Sequence, residues 1–255
     1  MNKITFIGAG NVATNLSLEL KKKGYEIVEV WSKTEASAAI LANKLNCNTI
    51  SNLEKISKTD LIIISVKDKY IKEVIDNIVD KKTAIVHTSG SVDLSVFTEN
   101  INPAVFYPLQ SFNKNIDVKF NNLPICIESN NRELEDKLVE IANSITKSVH
   151  LVNSEQREKL HIAAVFACNF TNHMLSISNK IMNDNSMDFD ILKPLIEHTF
   201  KKAIKNTPIE MQSGPAIRGE YNVIEKHLNI LEKNHDLQIL YSKITNHIIN
   251  NDFDQ

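Results

Sequence analysis

Apolar residues follow two different patterns in the two parts of the chain. Up to residue 152, short apolar runs alternate with segments in which apolar residues recur every three or four positions. Such runs are typical of buried parallel strands, and such spacing is typical of helices. The predicted strands are 3–7, 25–32, 47–50, 60–66, 83–88, 124–128 and 148–152, and the predicted helices are 12–20, 35–45, 69–79 and 132–145. This alternation predicts an α/β fold with a doubly wound sheet.

From residue 154 onward the spacing is helical only. It predicts one long helix that begins with a capping residue at Ser154 and runs to about Met182. Further helices are predicted at 189–204 and, as a pair, within 220–249. We therefore expect two domains, 1–152 and an all-helical 153–255.

The first predicted strand ends in a Gly-x-Gly-x-x-Ala turn at residues 8–13. Gly8 suits a tight turn, Gly10 lets the backbone approach a pyrophosphate, and Ala13 lets the next helix pack on the strand. The N-terminus of that helix offers free N–H groups to phosphates. A strand before this turn and a helix after it favour a dinucleotide site over an ordinary turn. The sequence thus predicts a Rossmann-type domain whose cofactor contacts are Gly8, Ala9, Gly10, Asn11 and Val12.

The end of the second predicted strand indicates which dinucleotide binds. Folds that prefer NAD place an Asp or Glu there for the ribose 2′-hydroxyl, whereas this chain has Ser32, Lys33 and Thr34. Two hydroxyls and an ammonium suit a 2′-phosphate, which favours NADP (NADPH) as the cofactor. The alternative is an ordinary connection with Thr34 as a helix N-cap. Val66 and Lys67, at the end of the fourth strand, are expected to line the same site.

Polar residues at other positions are candidates for substrate binding and catalysis. Ser89 follows the predicted strand 83–88, and Gln110 ends an apolar run that begins after Asn102. Both are expected to face the substrate, although a Ser-Gly-Ser sequence is equally typical of a plain turn. His161 and Asn169 interrupt an apolar stretch of the long helix. At a hundred degrees per residue, His161 and Asn172 project in nearly the same direction. These polar groups either meet a ligand in a cleft or hydrogen-bond to one another inside a dimer or bundle.

Arg218 is the strongest candidate anion anchor in the helical part. It lies in a loop, 207–220, that is stiffened by two prolines. Its guanidinium suits a carboxylate or a phosphate.

Composition excludes several classes of function. Twenty-nine basic and 31 acidic side chains leave a net charge of −2, so no basic footprint for nucleic acid is present. No apolar run reaches membrane-spanning length, and because the first predicted strand begins at residue 3, no signal peptide is expected. Three widely spaced cysteines fit reduced thiols in a cytoplasm and argue against a disulfide scaffold or a metal site.

Four motifs together resemble a bacterial family of Rossmann-like proteins with a C-terminal domain of unknown function, labelled NADP oxidoreductases. They are the glycine turn and the segments 107–112, 161–169 and 213–220. The chain is more distantly similar to pyrroline-5-carboxylate reductases and the 6-phosphogluconate dehydrogenase superfamily. The resemblance implies a homodimer formed by the helical domain, an active site between domains, and a substrate loop at Ser213.

One departure from the superfamily bears on the chemistry. Its hydroxyacid dehydrogenases carry a catalytic Lys one helical turn before an Asn of the long helix, whereas Val165 precedes Asn169 here. Lys-assisted oxidation of a hydroxyacid is therefore disfavoured, and reduction of an imine or carbonyl with His161, Asn169 or water as the proton source is favoured.

These observations predict an NADP-dependent oxidoreductase. The expected reaction moves a hydride between nicotinamide and a small, carboxylate-bearing carbonyl, imine or alcohol. A dimeric sensor that binds NADP(H) without turnover is the alternative. The sequence leaves open whether a deazaflavin replaces nicotinamide.

Overall fold

The computed structural model describes residues 1–97 and 102–250 of the 255-residue chain. One sheet runs in the order β3-β2-β1-β4-β5-β6-β7-β8, and only the β6–β7 pair is antiparallel. The strands are β1 Lys3–Ile7, β2 Glu26–Trp31, β3 Asn48–Thr49, β4 Leu61–Ile64, β5 Ala84–His87, β6 Pro103–Pro108, β7 Ile125–Ser129 and β8 Val149–Leu151. The predicted α/β fold with a doubly wound sheet is confirmed.

Helices lie between the strands and then continue alone. They are α1 Asn11–Lys22, α2 Glu35–Leu45, α3 Ile71–Asn77, α4 Arg132–Ile145, α5 Ser154–Ala164, α6 Thr171–Asp184, α7 Lys193–Lys205, α8 Tyr221–Ile230 and α9 His235–Asn250. Two predicted helices are partly 3₁₀: that at 69–79 is a turn at Asp68–Tyr70 followed by α3, and that at 189–204 is a turn at Phe189–Leu192 followed by α7.

The sheet is buried on both faces, and the wholly apolar strand β4 shows how the sequence achieves this. All four residues of β4 are fully buried. Leu61 and Ile63 belong to the core under α1, α2 and α4, whereas Ile62 and Ile64 belong to the core under α3. Successive side chains of a strand point to opposite faces, so one apolar run supplies both cores.

The predicted long helix is divided by a π-helical segment, Val165–Phe170, between α5 and α6. The predicted long helix is therefore present from Ser154 to Asp184, but its middle is π-helical and not α-helical. A π turn holds more residues than an α turn, so counting a hundred degrees per residue from His161 to Asn172 does not give their relative directions. The cap also differs: Asn153 is the N-cap and forms a capping box with Gln156.

The chain divides into two compact units, of which the first ends at Met174 and the second begins at Leu175. The first therefore holds the sheet together with α5 and the π-helical segment. In the second, α8 and α9 pair through a hydrogen bond between His227 Nδ1 and Tyr241 Oη, 2.8 Å long. The boundary at 152/153, drawn where helical sequence begins, stays a prediction.

Candidate cofactor and substrate site

The carboxyl ends of the parallel strands β1, β2, β4, β5 and β6 lie along one edge of the sheet. Ligands of doubly wound sheets bind beyond this edge. A cavity of about 470 Å³ opens there between the turns that follow β1, β2 and β4. Eight of the ten predicted cofactor residues line it, namely Gly8, Ala9, Gly10, Ser32, Lys33, Thr34, Val66 and Lys67.

The two glycines of the first turn serve different purposes. Gly8 has φ +126°, and a Cβ there would lie 2.2 Å from the Ser65 carbonyl oxygen. A Cβ at Gly10 would meet nothing within 4 Å, although Gly10 lines the cavity. Gly8 is thus required by the packing of β1 against the turn after β4, whereas Gly10 keeps the cavity floor open. These residues fit a pyrophosphate lying against the backbone at the start of α1.

The Ser32–Thr34 turn presents a cation to the cavity. Lys33 Nζ lies 4.4 Å from the centroid of the Tyr70 ring, which also lines the cavity. A cation over an aromatic face is held by the ring quadrupole, so this ammonium is oriented before any ligand arrives. Thr34 is the N-cap residue of α2, but its side chain makes no capping hydrogen bond.

Lys114 was not predicted, yet it lines the same cavity. Its backbone N–H donates to the Asn11 side-chain oxygen (3.2 Å), and Asn15 Nδ2 reaches the Asn113 carbonyl (3.4 Å). The Asn11 side chain therefore binds a loop that is 103 residues distant in the sequence. The other two predicted cofactor residues, Asn11 and Val12, do not line the cavity. No sequence motif marks Lys114, because its position depends on this distant contact.

Farther along the edge, the turn after β5 is shaped by its own polar groups. Ser65 Oγ, on the cavity wall, lies 3.0 Å from Thr88 Oγ1. The Ser89 hydroxyl accepts the N–H groups of Ser91 and Val92, both at 3.1 Å. The Ser89 oxygen thus makes turn contacts, which were the alternative to a ligand contact at the sequence level.

His87 is buried at the end of β5 and binds the backbone of this turn. Its Nδ1 accepts the Ser89 N–H at 3.2 Å, and its ring stacks on Phe97. Burial, with a smaller contribution from the Arg157 charge, lowers the pKa of His87 to about 3. His87 is therefore neutral near pH 7.

His161 meets the same edge at the end of β6. Its Nδ1 lies 3.1 Å from the Tyr107 hydroxyl, and the two rings meet edge-on. Gly90 lies next to both side chains, since a Cβ there would lie 2.8 Å from His161 Nδ1 and from Tyr107 Cζ. The sequence marks Tyr107 only as part of the segment 107–112, because no local pattern pairs it with a residue 54 positions away.

Arg157 joins this turn to the helix that carries His161. Its guanidinium donates twice to the Val92 carbonyl oxygen (3.0 and 2.8 Å) and lies 2.9 Å from a Glu128 carboxylate oxygen. Only 1% of the Arg157 side chain is exposed. Since His161 comes one helical turn later, this buried contact fixes where α5 meets the sheet.

The other predicted substrate and catalytic residues belong to other segments of the chain. Asn169 is exposed on the π-helical segment, and the Gln110 side chain accepts its neighbour's backbone N–H at 2.8 Å. Ser213 and Arg218 belong to the second compact unit and are exposed or partly exposed. Arg218 pairs with Glu220 through two hydrogen bonds of 2.8 and 2.9 Å. Their predicted roles stay predictions.

The described ranges contain neither a candidate metal site nor a candidate membrane-spanning helix. Within 1–97 and 102–250, no three His, Cys, Asp or Glu side chains are grouped so as to hold a metal ion. Among the same residues, no helix is both long and apolar enough to span a bilayer.

Comparison with known proteins identifies the family. Residues 3–89 match the family described as "NADP oxidoreductase coenzyme F420-dependent", and residues 123–248 match "Domain of unknown function (DUF2520)". A candidate NADP oxidoreductase from Bacteroides fragilis is 38% identical, with 98% of each chain covered and a TM-score of 0.92. The chain belongs to this family of NADP oxidoreductases. Oxidoreductase activity and NADP(H) as cofactor define the family, and this confirms the enzyme class and cofactor predicted from the glycine turn and Ser32–Thr34.

More distant structures share the fold with this family. A Thermotoga maritima protein is 21% identical over 96% of each chain, with a TM-score of 0.71. An imine reductase of Myxococcus stipitatus, solved with NADP⁺, is 14% identical over 96% of this chain and 92% of its own, with a TM-score of 0.67. None of the curated proteins compared with the chain matches it.

Proposed function

We propose that this oxidoreductase uses NADPH to reduce a small, carboxylate-bearing carbonyl or imine, or catalyses the reverse oxidation of the alcohol or amine. The observation that carries the proposal is the continuity of one sheet edge. The cavity at β1, β2 and β4 leads through Ser65 and Thr88 to the Tyr107–His161 pair at β6. Neighbouring strands lie about 4.8 Å apart, so the pair lies roughly 10 Å along the edge from the strand that borders the cavity.

The cofactor's groups are assigned to residues by their chemistry. Gly8–Gly10 and the N-terminus of α1 would hold the pyrophosphate, with Lys114 as a nearby cation. Ser32, Lys33 and Thr34 would hold the 2′-phosphate. Val66 and Lys67, after β4, would contact the part of the dinucleotide that extends toward β5. NADPH, when bound, supplies the hydride.

His161 is the proposed polarising donor for the substrate. It is partly exposed beside Gly90, whereas Tyr107 behind it is nearly buried. A hydrogen bond to the carbonyl oxygen or imine nitrogen favours attack at the adjacent carbon, because charge develops on the heteroatom. Val165 stands where hydroxyacid dehydrogenases have their Lys, which supports reduction of a carbonyl or imine over Lys-assisted oxidation.

Arg218 is the proposed binding partner of the substrate carboxylate. Further polar contacts to the substrate are assigned to Ser213, Ser89, Gln110 and Asn169. Arg218 is exposed and already holds the Glu220 carboxylate in two hydrogen bonds. A substrate carboxylate would exchange with Glu220, since both bind the same guanidinium edge. Ser89 would contribute its remaining hydrogen-bonding capacity beyond the two turn contacts.

A homodimer formed through the C-terminal helices, in the cytoplasm, is also part of the proposal. Phe166 and Phe170 are 65% and 48% exposed with their rings in edge-on contact, and most other exposed large apolar side chains in the described ranges lie farther along the helices. Burial of such side chains against a second copy is favourable. The three cysteines are free thiols, as expected of a reducing compartment. Light scattering tests the dimer, and Phe166→Ser should weaken it.

The proposed reaction is tested by combining calorimetry with a substrate panel. NADPH and NADH are titrated into the protein, and NADPH oxidation is then followed with keto acids, aldehydes, cyclic imines and a deazaflavin. Binding together with turnover of a carbonyl or imine supports the proposal. Binding without turnover of any compound would favour a sensor, and turnover of the deazaflavin alone would replace the proposed substrate class.

A further inference from the structure

We infer that Tyr107 is a positioning residue that holds His161 in the tautomer carrying its proton on Nε2, the nitrogen that would face the substrate. The inference rests on the proposed function, which makes His161 the polarising donor. It adds the residue that decides which nitrogen of His161 is the donor.

The geometry allows one short contact between the two side chains. The Tyr107 hydroxyl lies 3.1 Å from His161 Nδ1, within the normal range for an O–H···N hydrogen bond. Tyr107 sits at the end of β6 and is 9% exposed. The pair leaves no room for a side chain at Gly90, because a Cβ there would lie 2.8 Å from His161 Nδ1 and from Tyr107 Cζ. A larger residue at 90 would separate or displace the pair.

The direction of the hydrogen bond follows from the state of the phenol. Burial, more than the charges of Cys126 and Asp68, raises the pKa of Tyr107 to about 12, and the Arg157 charge only partly opposes this rise. Tyr107 therefore keeps its proton near pH 7 and needs an acceptor for it. Nδ1 of a neutral imidazole accepts only when the proton is on Nε2, so the contact selects the Nε2–H tautomer.

The backbone that carries His161 is held independently of Tyr107. Arg157, one turn earlier, is anchored to the Val92 carbonyl and pairs with the Glu128 carboxylate. With α5 fixed in this way, the phenol has to orient only the imidazole ring. The position of His161 is therefore set by α5, and its tautomer is set by the hydrogen bond to Tyr107.

A selected tautomer also provides a balanced route for the proton. As the substrate oxygen or nitrogen gains charge, it takes the Nε2 proton of His161 while Nδ1 takes the phenolic proton of Tyr107. One proton leaves the pair, His161 ends neutral with its proton on Nδ1, and Tyr107 ends as a phenolate that regains a proton from water. An alkoxide or amide anion is a stronger base than a phenolate, so the transfer runs toward the product.

Nuclear magnetic resonance of imidazole nitrogens in the cofactor-free protein tests the inference without any turnover. His161→Gln identifies the His161 resonances by their absence. The wild type should show Nδ1 unprotonated and Nε2 protonated, and Tyr107→Phe should move both resonances toward the averaged values of a solvent-exposed imidazole. Tyr241→Phe is the matched control, since it removes a similar hydroxyl from His227 and should leave His161 unchanged.

Gly90→Ala is a second variant that keeps the phenol. It should move the same His161 resonances, because its methyl group displaces the pair. Where a substrate is turned over, Tyr107→Phe should lower kcat by on the order of tenfold or more with little change in KM. A wild-type spectrum with Nδ1 protonated, or His161 resonances that Tyr107→Phe does not move, would overturn the inference. Absence of turnover with an intact tautomer effect would instead count against the proposed function alone.

Discussion

Replacing Arg157 by Met should destabilise the protein far more than any exposed ion pair does. The variant removes the guanidinium that pairs with Glu128 at 2.9 Å and donates two hydrogen bonds to the Val92 carbonyl. Glu128, 11% exposed, would keep only the Ser154 hydroxyl, at 2.8 and 3.0 Å. Removing one partner of a buried pair typically costs about 3–5 kcal/mol, because a charge stays buried without its counter-ion.

The exposed Arg132 is the matched control. Its pair with Glu135 is shorter, 2.7 Å, but its side chain is 76% exposed. Exposed pairs contribute about 0–1 kcal/mol, so Arg132→Met should have little effect although the distance is shorter. The burial of the arginine, and not the length of its ion pair, decides how much stability each substitution removes.

Urea and thermal unfolding of both variants provide the assay. At about 2–4 °C per kcal/mol for a chain of this size, Arg157→Met should lower Tm by roughly 6–20 °C. Glu128→Leu together with Arg157→Met should recover much of that loss, since no uncompensated charge then remains. Equal effects of Arg157→Met and Arg132→Met would refute the reasoning.

Three further predictions concern the cofactor cavity and the turn after β5. Ser32→Asp should weaken NADPH binding by on the order of tenfold or more and leave NADH binding intact, by placing a carboxylate beside the 2′-phosphate; equal dissociation constants for both cofactors in the wild type would contradict this. Gly10→Val should abolish NADPH binding in calorimetry while Tm changes little. Gly8→Ala should instead lower Tm, because its Cβ would lie 2.2 Å from the Ser65 carbonyl oxygen. Unchanged NADPH affinity in Gly10→Val would mean that the phosphates bind elsewhere. His87, with its pKa lowered to about 3 in the folded state, stays neutral while the unfolded chain takes up a proton below about pH 6.5. Its contribution to stability is therefore complete above that pH and falls by up to about 1.4 kcal/mol per unit as the pH drops toward 3, so His87→Gln should show a shallower acid dependence of unfolding free energy; identical slopes would contradict a neutral buried His87.

The order of the elements was predictable because it depends on local patterns. Apolar runs such as 60–66 need no distant information to be recognised as buried strands. The glycine turn and Ser32–Thr34 were recognisable for the same reason, since each lies directly after a strand whose end forms part of the cavity.

Contacts between distant segments were not predictable in this way. Arg157 occupies a helix N-terminus where a charged residue is usually exposed, and only its contacts with residues of other segments explain its burial. Lys114 reaches the cavity through a hydrogen bond to Asn11, and Tyr107 meets His161 through the packing of α5 on the sheet. The π-helical segment was missed because its residues, 165–170, are equally compatible with a regular α-helix.

Deuterium transfer from NADPH tests hydride transfer at this sheet edge most directly. NADPH labelled at C4 is incubated with the protein and the panel of carbonyls and imines, and each product is analysed by mass spectrometry. We expect one deuterium on the carbon that was the carbonyl or imine carbon of the accepted substrate, and far less product with His161→Gln. NADPH that binds in the cavity but transfers no deuterium to any compound of the panel would contradict the proposed reaction.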